Sequence, residues 1–392
     1  MKPRCTHLAF MACLAIPFWP EFGAPTALAD EVDDDLAAIA SAAPLAAGSA
    51  EARAACDRLV RHGTEVLPRV LTAMDTPNPV AANWCRTVFD TIVTEEMRQA
   101  EPRLPLEFFK EFAADSHRRG KTRRLVLQLL DRVQPDFRQQ LLAGALDDPE
   151  FRLDAVALVL AAGDAAKAAG DQEAAHGHYR RAFSAARDPA QVAAAASKLR
   201  DAGGEANVIA ALGLVVDWYF VGPFPAPGYS GFRQSFAPQE SEQVDLTAAY
   251  ELAQGEPLRW KRYSTPDALG QINLVQAIAP AAEAVGYGYT EIESAGEQNI
   301  QVRCGADDNL SVWLNGQKIL AREQWLNGTR FDRFVAPAKL LAGKNRLLVK
   351  ICQGPQHKDP AVPNNWSMQL RLCDESGAGV EFRSLLMEEG AR

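Results

Sequence analysis

The feature that most constrains this chain is a change of hydrophobic period within the stretch LGLVVDWYFVGPF, Leu212 to Phe224. Upstream, from Asp30 to about Ala206, apolar residues recur every three or four positions in Ala-rich segments, the spacing of one helix face. Downstream, β-branched and aromatic residues alternate with polar ones, and Gly, Asn and Asp break them into short runs, which is the period of strands. No single element type satisfies both halves. The spacing therefore predicts an export segment over 1–29, a helical repeat domain over 30–206 and a β-sandwich domain over 207–392.

In the first half, short punctuation at His62-Gly63, Thr76–Pro79 and Asp147–Pro149 separates amphipathic segments such as RRLVLQLLDRV. Hairpins in series of this kind bury their apolar faces against one another. The stretch GDQEAAHGHYRRAFSAARDP resembles the second helix of a tetratricopeptide repeat, with Gly170, Ala175, Tyr179, Ala182 and Pro189 at the turn, packing and terminating positions. The earlier segment VLPRVLTAMDTPNPVAANWCRTVFDTIV is similar to a HEAT repeat, with Asp75 and Pro79 in the turn and Trp84 expected to pack inward. Such an array implies either a surface for protein partners or a spacer.

In the second half, strands are expected near Val215–Val221, Leu258–Tyr263, Val285–Glu293, Asn299–Cys304, Leu310–Leu314, Arg330–Val335, Arg346–Cys352 and Trp366–Cys373. Short strands without long helices between them point to an antiparallel β-sandwich or jelly roll. Parity agrees, with Leu347, Val349 and Ile351 on one face and Met368, Leu370 and Leu372 on another. Cys352 and Cys373 are not expected to pair, since if their strands form a hairpin around the loop Gly354–Asn365 they stand near its opposite ends.

Composition narrows the function classes. The 392 residues carry 41 Lys and Arg against 50 Asp and Glu, a net charge of −9, which argues against nucleic acid as the main partner. The N-terminus has the form of a cleaved export signal: Lys2 and Arg4, an apolar run from Leu8 to Phe18, and Ala27-Leu28-Ala29 before Asp30. Beyond it no run approaches the ~20 apolar residues of a membrane span. The expected address is periplasmic or extracellular. Cleavage leaves Cys56, Cys85, Cys304, Cys352 and Cys373, with no Cys-x-x-Cys and no zinc-like spacing. Cys56 and Cys85 fall in consecutive hairpins, where a disulfide is one outcome.

Three groups carry possible chemistry. Asp307, Asp308 and Asn309 cluster oxygen ligands at a strand end, which suits Ca²⁺ if the strand breaks there; the same residues are also ordinary turn formers, and that reading is favoured, with no cofactor expected. Tyr229, Trp325 and Trp366 lie in or beside loops and are candidates for stacking on sugar rings. The run RRGKTRR, Arg118 to Arg124, is either a solvated turn or a surface for an acidic partner. No nucleophile elbow, phosphate-binding loop or zinc-protease motif occurs, so no catalytic residue is assigned.

The segment IQVRCGADDNLSVWLNGQKI, followed by LLAGKNRLLVKICQ and WSMQLRLCDESG, resembles a galactose-binding-like jelly roll, similar to the sugar-binding domain of family 2 glycoside hydrolases. Asn315-Gly316 marks the tight turn after one core strand, and Gly343, Asn345, Leu347, Val349 and Ile351 open another. The Asp pair is similar to that of protective-antigen-type lectin domains, which implies Ca²⁺ held against a sugar. The whole layout resembles uncharacterised secreted bacterial proteins that join HEAT-like helices to such a sandwich through a W-x-x-x-G-P-F segment, here Trp218, Gly222, Pro223 and Phe224. These resemblances imply an exported, non-catalytic protein that binds a glycan or protein ligand. The alternatives are a glycoside-hydrolase-like enzyme with an unrecognised site and a purely structural cell-surface part.

Overall fold

The computed structural model describes residues 26–240, 243–325, 328–359 and 361–387, with side chains from 31 onward. The export segment read at 1–29 lies outside the described residues apart from its last four, which open the first helix. No helix among the described residues is long and apolar enough to cross a membrane. Helices fill the chain up to Leu212, and antiparallel strands follow from Asp217 to Ser384.

The chain forms two compact units, 1–138 and 139–392. The first contains α1 (Thr26–Ala40), α2 (Ser49–Arg61), α3 (Leu67–Met74), α4 (Pro79–Glu96), α5 (Leu106–Ala114) and α6 (Gly120–Val133), and the division falls within α7 (Asp136–Ala143). Asn78 caps α4 by accepting from Val80 N–H at 3.0 Å, and Pro79 takes the first helical position, where no N–H is needed. Val70, Leu71, Phe89, Phe109 and Leu127 are fully buried here, and the Phe89 and Phe109 rings meet edge to face at 5.9 Å. Trp84 is only half buried; its neighbour Cys85 takes the core position. The Cys56 thiol lies 3.8 Å from the Trp84 carbonyl, and all five described cysteines are free. The basic run is not a solvated patch throughout. Arg118 pairs with Asp115 at 3.3 Å, and Arg123 is buried, donating to Ala113 O at 2.9 Å.

The second unit begins with α8 (Arg152–Ala168), α9 (Gln172–Ala185), α10 (Pro189–Asp201) and α11 (Val208–Leu212). The change of period near 207 therefore lies inside this unit. Tyr179 packs so closely on Gly163 that a Cβ there would sit 2.5 Å from its ring, which explains the aromatic and small residues of this helix pair. Pro189 starts α10 beside its Asp188 cap.

The strands are β1 (Asp217–Pro225), β2 (Ala249–Tyr250), β3 (Leu258–Arg259), β4 (Lys261–Ser264), β5 (Ile272–Asn273), β6 (Ala284–Ser294), β7 (Gln298–Ala306), β8 (Leu310–Leu314), β9 (Gln317–Arg322), β10 (Phe334–Leu340), β11 (Gly343–Gln353), β12 (Ser367–Cys373) and β13 (Arg383–Ser384). One sheet runs β4-β1-β6-β11-β8-β9 with β13 on β6; the other runs β10-β7-β12-β5. Their facing side chains form one core, in which Trp218, Phe220, Val312, Leu347, Val349 and Ile351 meet Ile300, Val302, Met368, Leu370 and Leu372. The expected strand at 330–335 begins later, at Phe334, and the expected strand 258–263 divides around buried Trp260. The hairpin expected from Cys352 and Cys373 does not form. β11 pairs with β6 and β8, whereas β12 pairs with β7 and β5, so residues 354–366 cross from one sheet to the other.

The resemblance motifs have local structural reasons. Asn315 and Gly316 both take positive φ in the turn between β8 and β9. Asn315 Nδ2 donates to Asn345 Oδ1 at 2.8 Å, and buried Asn345 bonds Leu341 N–H and O at 2.9 and 2.8 Å. The two asparagines lock adjacent turns to each other.

Both sheets are covered on their outer faces. The Gly213–Val215 segment extends the edge of β12, through Leu372 N–H to Gly213 O at 2.8 Å and Val215 N–H to Leu370 O at 3.0 Å, and the Leu212 and Gly377 carbonyls and the Phe331 ring cover Arg371. Over the other sheet, residues from Phe224 to Leu258 close an aromatic cluster of Phe224, Phe236, Tyr250 and Tyr287. Strands covered on both faces lose polar–apolar alternation, and β12 is buried at every position.

Candidate functional site

A cleft with a polar lining opens where β7 ends. After Ala306 the chain leaves the strand for three residues and re-enters pairing at Leu310. Asp307 N–H donates to Ser367 O at 3.0 Å, which fixes the backbone while the three side chains diverge. Asp308 is 1% exposed, and its Oδ2 accepts from Gly354 N–H at 2.6 Å. Asn309 is buried and accepts from Gln324 N–H. These two side chains fasten neighbouring loops to the end of the sandwich. No group of three His, Cys, Asp or Glu among the described residues is placed to hold a metal ion. The strand break that the Ca²⁺ reading required is present at these three residues.

Asp307 alone lines a cleft of about 800 Å³, together with Tyr263, Asp267, Gln276, Asn365 and Trp366. Other polar groups of the wall are already engaged: Thr329 Oγ1 with Ser367 Oγ at 2.5 Å, Asn364 Oδ1 with Gln353 Nε2 at 2.5 Å, and Asn273 as the cap of the short helix Leu274–Ala277. The Asp307 carboxylate accepts no hydrogen bond from any described residue. Burial, and then the neighbouring Asp308 carboxylate, push its pKa up to about 6.

Trp366 departs from its expected role. It is 1% exposed at the entry to β12, so it lines the cleft as part of the wall and is not a free stacking platform. Its indole N–H has no acceptor among the described residues. Tyr229 and Trp325 do come together, their rings 4.8 Å apart at 79°. Tyr229 is 45% exposed, holds a left-handed φ of 60°, and borders a separate hollow of about 540 Å³ with Arg233 and Glu323, which pair at 3.5 Å. A further groove of about 850 Å³ beside α11 is lined mainly by apolar groups such as Ile209, Val215 and Phe382.

Sequence reasoning found Asp307 and Trp366 but missed Tyr263, Asp267, Gln276 and Asn365. Tyr263 lies on β4, Gln276 on the short helix Leu274–Ala277 and Asp267 and Asn365 in loops, and none of them carries a motif; Asn365 reaches the cleft because residues 354–366 cross between the sheets.

No family model matches the chain, and no curated protein matches it. Among solved structures it is similar to a GH2 beta-galacturonidase from Eisenbergiella tayi (14% identity, TM-score 0.23, 40% of this chain and 23% of that one). It is also similar to an uncultured Clostridium beta-glucuronidase (12%, TM-score 0.23, 41% and 29%) and to the PA14 sugar-binding domain from an RTX adhesin (15%, TM-score 0.20, 45% and 93%). The chain spans less than a third of the length of these two glycosidases. Likeness at this level assigns no activity to it.

Proposed function

We propose that this is an exported, non-catalytic binding protein whose β-sandwich takes carbohydrate in the cleft beside Asp307. In this reading the helices before residue 207 form a repeat array that presents a surface to protein partners. The observation that carries the carbohydrate reading is the cleft itself: an open cavity of about 800 Å³ with a carboxylate at Asp307 and a carboxamide at Asn365 that have no partner among the described residues, and the half-exposed aromatic ring of Tyr263. Saccharides present dense hydroxyls beside apolar ring faces, and such a lining matches both. Glycan-array binding by the purified chain, with and without Ca²⁺, tests the reading. Ca²⁺-independent binding that Asp307→Ala removes is expected; an array with no signal overturns it. Export is tested by N-terminal sequencing of the cell-envelope and medium fractions, with Asp30 as the expected first residue.

One observation favours a hydrolase instead: a carboxyl raised to about 6 suits a general acid. Turnover of aryl glycosides that disappears in Asp307→Asn would establish that reading, and absence of turnover across neutral, amino and acidic glycosides removes it.

A further inference from the structure

The cleft beside Asp307 carries charge of one sign. Asp307 and Asp267 both line it, Asp308 lies directly behind Asp307 in the chain, and none of the described lining residues is Lys, Arg or His. Two of the three carboxylates are occupied. Asp267 Oδ1 accepts from Leu269 and Gln271 N–H at 2.9 and 3.1 Å, and Asp308 accepts from Gly354. Asp307 is half-buried, accepts nothing, and is held against the repulsion of Asp308. An uncompensated carboxylate in such a place is a net cost to the fold, and a cation in the cleft would offset it. The same cavity is lined by Trp366, whose buried N–H lacks an acceptor. The uncompensated charge of this wall is that of Asp307, which has no donor among the described residues.

A ligand that satisfies Asp307 carries a positively charged hydrogen-bond donor. We propose that the cleft is a site for a protonated primary amine on a polyhydroxylated ligand, an amino sugar with its amine free, whose ammonium pairs with Asp307. This rests on the carbohydrate reading and specifies its ligand class. Uronic acids and sulfated sugars are excluded by repulsion from the carboxylates, and acetylation of the amine removes the pairing charge.

The pairing needs Asp307 ionised, so binding weakens as pH falls through about 6. The charged and titratable groups around it are Asp308 on its own loop, Asp267 and Tyr263 from the residues flanking β5, and Arg333, which donates to the cleft-lining Gly328 O at 3.2 Å. The crossing segment contributes Asn364, Asn365, Trp366 and Ser367, none of which titrates in this range.

Isothermal titration calorimetry on the full mature chain tests the proposal. The probes are glucosamine trisaccharide, its N-acetylated form, a neutral glucose trisaccharide, a galacturonic acid trisaccharide and spermidine. The free-amine sugar is expected to bind at least tenfold more tightly than every other probe at pH 7, and to lose about tenfold by pH 5. Asp307→Asn is expected to abolish the preference while remaining folded, as checked by its melting curve, and Trp366→Phe to weaken binding without changing the preference. Equal binding of the acetylated or neutral sugar, or any binding of the uronide, overturns the amine inference and leaves the carbohydrate reading standing. Spermidine binding as tightly as the sugar overturns the polyhydroxylated half of the proposal. No saccharide binding at all overturns both readings.

Discussion

Asp332 and Asp307 are carboxylates of the same sandwich with opposite environments. Asp332 is gripped by Arg371, Nε to Oδ1 at 2.7 Å and Nη2 to Oδ2 at 2.5 Å, and by Arg303 Nη1 at 3.1 Å. Arg371 is 2% exposed and spends its remaining Nη1 on Leu212 O at 3.1 Å and Gly377 O at 2.9 Å, beneath the Phe331 ring. Each charge there has a fixed partner, which is the condition for keeping ions in a protein interior. Asp307 has no donor among the described residues. The contrast separates a carboxylate that holds the fold together from one that the fold merely holds in place, and the second kind is where the proposed ligand binds.

The largest effect expected from breaking the contrast is at Asp332. Asp332→Ala leaves the Arg371 guanidinium buried without its carboxylate, and urea unfolding should show a loss of about 3–5 kcal/mol. A loss below about 1 kcal/mol would mean that the network is not structural. Lys350 is an intermediate case. It is 2% exposed on β11, burial pushes its amine pKa down, and its partners are the backbone oxygens Phe232 O at 3.1 Å and Gln234 O at 2.6 Å. Lys350→Met keeps the packing but strands two carbonyls, so about 1–3 kcal/mol should be lost. Amide exchange around Phe232–Gln234 should quicken, and unchanged exchange would show that the lysine does not pin this segment.

Asp307→Asn should act in the opposite direction. The folded-state pKa, about 6, lies above the ordinary carboxyl value of 3.8, so the folded protein binds this proton more tightly than the unfolded chain. Stability from this group is present at low pH and is lost as pH rises from about 4 to 6. The substitution should therefore stabilise at pH 7.5, on the order of 1 kcal/mol after solvent screening, and change almost nothing at pH 4. Thermal melts at both pH values test the sign; destabilisation at pH 7.5 would show that Asp307 is a structural carboxylate like Asp332. The smallest effect is expected at Tyr229→Gly. Relief of its left-handed backbone and loss of the edge-to-face contact with Trp325 oppose each other, leaving less than about 0.5 kcal/mol in the same melts.

What was legible in the sequence followed from local rules. The change of period within Leu212–Phe224 separates helices from strands because the 3.6- and 2-residue repeats cannot share one element. Strand parity placed Leu347, Val349, Ile351, Met368, Leu370 and Leu372 in the core, and Asn315-Gly316 marked its turn, since side-chain direction and positive φ are properties of a few consecutive residues. Partnership across distant segments was not legible. Arg371 and Lys350 sit within strands that look half-polar, and they are buried only because helices cover one sheet and the stretch after β1 covers the other. Asp307, Asp308 and Asn309 read alike, yet Gly354 and Gln324 claim the last two and leave the first free. Tyr229 meets Trp325 while Trp366 lines a different cavity, because residues 354–366 cross between sheets. The sequence by itself determined element type and face, which depend on neighbours in the chain; the tertiary structure decided which polar groups found partners, because that depends on neighbours in space.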